Sequence, residues 1–168
     1  MSRFISTLMR CTTLRIDSVR WIAMAIISLF THTAMAQGHQ DLAAIIAGGN
    51  DALSESVYSL QTTAYVNGGN MQIVGEGSAV KLDVNATNYG VVNFSDASLN
   101  GVHTVLVRFE SATQAASGIN ASELTELESL ANVVLLFSYD ISASDAASLA
   151  LGSLPAGVSS YYSISIPE

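Results

Sequence analysis

Beyond residue 36, acid–base or metal chemistry would have to draw on His39 and His103, without a thiol, because the single cysteine is Cys11. Zinc needs Cys, His and carboxylate ligands that converge, so two separated histidines predict no zinc site. Oxygen ligands for calcium are more plentiful: Asp140 and Asp145, the Asn67–Asn70 turn, and Asn50 with Asp51. None of these follows the D-x-[DN]-x-[DN]-G loop, and each reads as a turn residue or helix cap.

A serine nucleophile needs a base beside it. The Gly-x-Ser-x-Gly elbow is absent, which leaves His103 as the candidate base, at the start of a strand where a rim hydrogen bond accounts for it equally well. Glu123, Glu126 and Glu128 could supply the paired carboxylates of a glycosidase. Their spacing opposite Leu124, Leu127 and Leu130 instead predicts the wet face of a helix. Neither nucleotide-binding glycine motif is present, and Gly75-Glu76-Gly77 fits a turn. Asn85-Ala86-Thr87, Asn93-Phe94-Ser95 and Asn120-Ala121-Ser122 match the glycosylation acceptor, although Asn93 falls in an expected strand and Asn120 in a cap position. Among the six tyrosines, Tyr161-Tyr162 could belong to a patch that binds sugars or proteins, or to sheet packing. The residues therefore assign no catalytic, cofactor-binding or metal position, and no cofactor is expected.

The N-terminal segment sets the compartment. Arg3, Arg10, Arg15 and Arg20 precede the run Trp21 to Phe30, and Ala34-Met35-Ala36 closes it. A basic leader, an apolar core and a small-x-small site predict a secretory signal peptide over residues 1–36, with cleavage after Ala36. A membrane anchor would need roughly 20 apolar residues, and Thr31, His32 and Thr33 interrupt the run first. Cys11 precedes the apolar run, the wrong side for a lipid anchor. The expectation is a secreted or periplasmic protein whose mature part, residues 37–168, is one domain without cysteine, held by apolar burial.

The full chain carries six basic and fourteen acidic residues. Cleavage would leave Lys81 and Arg108 against thirteen acids, so no basic patch can form. Nucleic acid and anionic membrane surfaces are thereby excluded as partners, since both are bound largely through Lys and Arg.

The elements that would position these residues follow from periodicity. Val133 to Tyr139 is a nearly continuous apolar run, which predicts a strand buried on both faces. His103 to Phe109 predicts a second, and Tyr161 to Ile166 a final one. Leu42, Ile45 and Ile46, then Leu53, Val57 and Leu60, predict an N-terminal helical layer after a frayed start over residues 37–40. Short β-rich runs over Thr63–Val66, Met71–Val74, Ala79–Val84 and Val91–Phe94 predict an antiparallel meander, with Lys81 and Asp83 on a wet face. Helical pieces are expected over residues 96–100, on either side of Gly118 within 111–130, and from Ser142 to Gly152.

A weak echo relates Leu99, Val102, Val105 and Val107 to Leu127, Leu130, Val133 and Leu135. Leucine-rich repeats share such spacing, but their Asn or Cys after the strand is missing and any helix-turn-strand unit yields the pattern.

The fold class expected is α+β: one domain with a mixed sheet covered by Ala/Ser-rich helices. The function expected is an exported, non-enzymatic binding or assembly module for a protein or carbohydrate partner. Two alternatives are a small secreted hydrolase using acidic residues, and a protein that self-associates through the open edge of its final strand.

Overall fold

The computed structural model describes residues 38–166; the expected signal peptide lies outside the described residues. Strands β1 (Gln40–Asp41), β2 (Thr63–Asn67), β3 (Asn70–Val74), β4 (Lys81–Asn85), β5 (Thr104–Phe109), β6 (Asn132–Phe137) and β7 (Ser159–Ile164) form one sheet in the order β1-β7-β6-β5-β4-β2-β3. All neighbours run parallel except the β2–β3 hairpin. Helices α1 (Leu42–Ala47), α2 (Asp51–Tyr58), α3 (Ala112–Ser117) and α4 (Ala143–Ala147), with 3₁₀ turns over Ala86–Val91, Ala97–Leu99 and Ala121–Glu126, complete an α+β fold. Among the described residues no helix is long and apolar enough to cross a membrane.

Parallel strands need cover on both faces, and the alternation of β6 shows how it is provided. Val133, Leu135 and Phe137 point into the larger core, where they meet Leu82 and Val84 of β4, Val105, Val107 and Phe109 of β5, and the connections through Leu99, Val102, Ile119, Leu124 and Leu127. Val134 points the other way, into a smaller cluster with Leu106, Tyr161, Leu42, Leu53 and Val57, against which Leu136 packs. The strand-to-strand connections therefore form one layer and the N-terminal helix pair the other. The sequence echo has this physical basis: Leu99 and Leu127 lie in the connection layer, and Val105 with Val107, like Val133 with Leu135, re-enter the same core.

Repeated capping starts the short helices. Asp41 accepts from Ala43 N and Ala44 N, and Asn50 from Leu53 N. Asn85, Asp96 and Asn120 each accept from the backbone two residues on and from the Thr87, Ser98 or Ser122 hydroxyl. Two of the three glycosylation-like triplets are thus built into caps.

The expected meander is corrected. β2 and β3 make a hairpin through Gly68-Gly69, both at positive φ (57° and 82°), the two-residue turn such hairpins favour. The chain then turns back at Gly75-Glu76-Gly77, and β4 pairs parallel with β2. Thr62 drives this return: its Oγ1 donates to Glu76 O, and its carbonyl accepts from Val80 N and Lys81 N. Gly75 has φ 120°, and a Cβ there would lie 2.7 Å from Thr62 Oγ1, so the crossing admits only glycine. Val91–Phe94 is not a strand either. It leaves the 3₁₀ turn so that Phe94 packs on Tyr89 (ring centroids 5.1 Å apart) within the connection layer.

The expected frayed start is also corrected. His39 is buried, with Nδ1 2.9 Å from Ser160 Oγ and Nε2 2.7 Å from Leu149 O, and β1 lies along the outer side of β7. A carbonyl only accepts, so Nε2 carries the proton.

Leu135→Ala should lower unfolding free energy by about 2–5 kcal/mol, because the fully buried side chain leaves a cavity between strand and connection layer. Val91→Ala, at a 59% exposed position, should stay within about 0.5 kcal/mol of the parent. Urea midpoints at constant slope measure both.

Candidate functional site

In parallel sheets ligands usually meet the carboxyl ends of the strands. Here polar side chains at the ends of β2, β4 and β5 are bonded to one another or to nearby backbone. Gln114 Oε1 accepts from Glu110 N at 2.6 Å, its Nε2 donates to Thr87 Oγ1 at 3.1 Å and Asn85 Oδ1 at 3.4 Å, and Asn88 Oδ1 accepts from Gly68 N at 3.3 Å. The Gln114 bonds link the ends of β4 and β5 at the surface, and the separate Asn88–Gly68 bond holds the hairpin turn after β2.

Among the described residues, grooves of two sizes lie in the connection layer. The larger, about 790 Å³, runs between residues 115–120 and 148–152 and is walled by small side chains and backbone, with Asp145 its one charge. The smaller, about 350 Å³, brings Glu123 and Glu126 to one wall beside Gly90, Phe94 and Ser95. Residues three apart in a 3₁₀ turn eclipse, which puts both carboxylates on one side. Glu126 Oε2 accepts from Ser95 Oγ at 3.3 Å, and Glu123 Oε1 from Asn120 Nδ2 at 3.5 Å. Glu128 is exposed and lies outside the groove. No histidine or cation lines that wall. His103 is elsewhere, exposed at the sheet's rim, with Nδ1 2.9 Å from Ser129 O.

Tyr89, below the smaller groove, donates to Asn120 O at 3.1 Å, and burial, with Glu123 nearby, holds its phenol above the ordinary tyrosine range. Unfolded tyrosine loses its proton near pH 10 while the native group keeps it, so stability present below that pH falls as pH rises further. Tyr89→Phe should remove that part of the decline, read as urea midpoints of parent and variant on either side of pH 10.

The second face of the sheet shows what the sequence pattern missed. Lys81 and Asp83, expected on a wet face, are buried. Lys81 Nζ donates to Val57 O at 3.1 Å and Ser59 O at 3.0 Å, closing the carboxyl end of α2, and burial lowers its pKa despite the neighbouring Asp83. Asp83 takes a two-pronged bond from Arg108, Nε to Oδ1 at 2.7 Å and Nη2 to Oδ2 at 2.6 Å. That bond raises the Arg108 pKa against the effect of its burial, with smaller contributions from the charge of Asp83 and from Tyr65 and Glu110. Lys81 and Arg108 are the only cations beyond residue 37, and both are committed to internal partners. No local signal marked this burial, since alternation with Leu82 and Val84 reports that β4 has two faces and not what covers the second.

The remaining candidate is the hairpin. Of the exposed large apolar side chains, Tyr58, Leu60, Tyr65, Ile73 and Val74 all fall between residues 58 and 74. Residues 56–75 carry no Asp, Glu, Lys or Arg. Among the described residues, strand β3 pairs with β2 on one side and has no strand on the other. The Thr62 carbonyl faces β4, so by alternation Thr63, Tyr65 and Asn67 turn their backbone groups towards β3. Their partners Val74, Gln72 and Asn70 face back, which leaves the N–H and C=O of Met71 and Ile73 pointing outward. Sequence reasoning placed the open edge on the final strand, but β1 covers β7 at Tyr161 and Tyr162.

Among the described residues no group of three or more His, Cys, Asp or Glu could hold a metal ion. The chain matches no protein-family model, no curated protein and no solved structure.

Asp83 is 8% exposed and Arg108 about half, so the acid depends on its partner more than the base does. Arg108→Met should destabilise more than the double change Arg108→Met with Asp83→Leu, since the single change strands a buried carboxylate. Thermal melts of both variants and the parent measure the order.

Proposed function

We propose that the protein is an exported, non-enzymatic binding or assembly module that takes its partner along the β3 edge by strand addition. The observation that carries this reading is the hairpin itself: among the described residues β3 is an edge strand whose outward backbone groups, at Met71 and Ile73, sit among exposed apolar side chains. In strand addition the main-chain bonds supply affinity and alternate side chains supply selectivity. Ile73 and Val74, 38% and 50% exposed on opposite faces of β3, would be covered by an incoming strand. Export is supported by the leader pattern of residues 1–36, and a protein partner is favoured over a carbohydrate because strand addition requires a peptide backbone.

The alternative of a hydrolase using acidic residues has one supporting observation, the groove shared by Glu123 and Glu126. The other polar side chains lining it, Ser95 and Ser122, are already bonded to Glu126 and to Asn120.

Residue-resolved hydrogen exchange distinguishes the docking reading. In dilute purified protein the Met71 and Ile73 amides should exchange rapidly, and in a concentrated extract of the cells that make the protein both should become protected. Rapid exchange in both settings would overturn the reading.

A further inference from the structure

We infer that the strand added to β3 is β3 of a second copy of this chain, antiparallel about a two-fold axis through Gln72; the inference rests on the docking reading above. The backbone register carries it. With the axis at Gln72, Met71 of each copy stands opposite Ile73 of the partner subunit, and these are the two residues whose N–H and C=O point outward. Each such pair can exchange both bonds, and none of the outward groups within the strand is left over. An axis at Met71 or Ile73 would set one of these residues opposite itself and leave the other facing a position outside the strand.

The side chains agree with that register. Met71 and Ile73 share the face of Ala64 and Val66, which belong to the larger core, and Met71 already packs against it. The two-fold lays each Ile73 beside Met71 of the partner subunit and extends the core across the seam. On the other face Gln72 meets its own copy, neutral against neutral. Charge points the same way. Two copies of a chain with net charge −8 repel one another, and a seam within the uncharged segment 56–75 brings them together where local repulsion is least. A two-fold contact also closes on itself, which yields a dimer rather than a fibre. One added strand pair buries less than the roughly 1,200 Å² typical of stable complexes, so association should be weak and concentration-dependent.

The test uses the protein as its cells make it, with mass measured by sedimentation from micromolar to millimolar concentration. The parent should double in mass over that range. Gln72 is exposed, so Gln72→Lys and Gln72→Glu should fold as the parent does, checked by circular dichroism. Each variant alone places like charges directly opposite across the axis and should remain monomeric, and mixing the two should restore the dimer. A mixture that stays monomeric, or a Gln72→Lys protein that dimerises like the parent, overturns the inference. If the parent stays monomeric throughout while Met71 and Ile73 gain protection in the extract, the added strand belongs to another protein, and the inference falls while the docking reading stands. If protection is missing too, both fall.

Discussion

The structure depends on one requirement: β6 is apolar on both faces, and β5 is apolar on one and at Leu106 on the other, so the centre of the sheet needs a layer above and a layer below. Val105, Val107 and Phe109 alternate with Leu106, and Val133, Leu135 and Phe137 alternate with Val134 and Leu136. Each parallel connection must cross the sheet to begin the next strand, and in crossing it covers the first face. No connection is left for the second face. The chain meets that need with α1 and α2, placed between β1 and β2, whose Leu42, Leu53 and Val57 close over Leu106, Val134 and Tyr161. Apolar burial on both sides is the main stabilising term available, since no cysteine lies among the described residues.

The second cover is partial, and the polar groups of β4 and β5 follow from where it stops. Lys81 lies under the end of α2, where carbonyls without helical partners would otherwise be buried unsatisfied, and its ammonium bonds two of them. Asp83 and Arg108 lie further along the strands, beyond the helix, with the guanidinium half in water and the carboxylate beneath it. A charged pair at the margin of a cover avoids most of the desolvation cost that a fully buried pair would meet. Thr104, level with Lys81 in the sheet, keeps a buried hydroxyl for which the structure shows no hydrogen-bond partner.

What could be read in the sequence was whatever a strand or cap announces locally. The β-branched runs around 104–109 and 132–137, the caps at Asn50 and Asn120, and the helical spacing of Leu53 and Val57 needed only near neighbours to be recognised. Strand direction after Gly75 could not be read this way. A Gly-Glu-Gly turn closes a hairpin or carries the chain back across equally well, and the choice is made by Thr62, more than a dozen positions upstream. The burial of Lys81 and Asp83 was hidden for the same reason: alternation with Leu82 and Val84 reports that the strand has two faces, not that a helix will arrive over the second. His39 looked terminal in the sequence and is fixed only by Leu149 and Ser160, from the far end of the chain.

The two edges of the sheet receive opposite treatment, and that contrast bears on function. At β7, whose outward groups belong to Ser160, Tyr162 and Ile164, the two-residue strand β1 and the His39–Ser160 hydrogen bond shield the first part of the edge. Exposed edges are ordinarily protected by charge, proline, a bulge or a covering segment. Among the described residues β3 has none of these: its sequence is Asn-Met-Gln-Ile-Val, its register with β2 is unbroken, and no strand lies beyond it. The fold even holds this edge out, since the Gly75 crossing returns the chain to the far side of β2 instead of extending the sheet past β3. Among the described residues, then, one edge is partly covered by Gln40–Asp41 while the other is uncharged and unpaired, and an unprotected strand edge can template another strand whether or not one is intended.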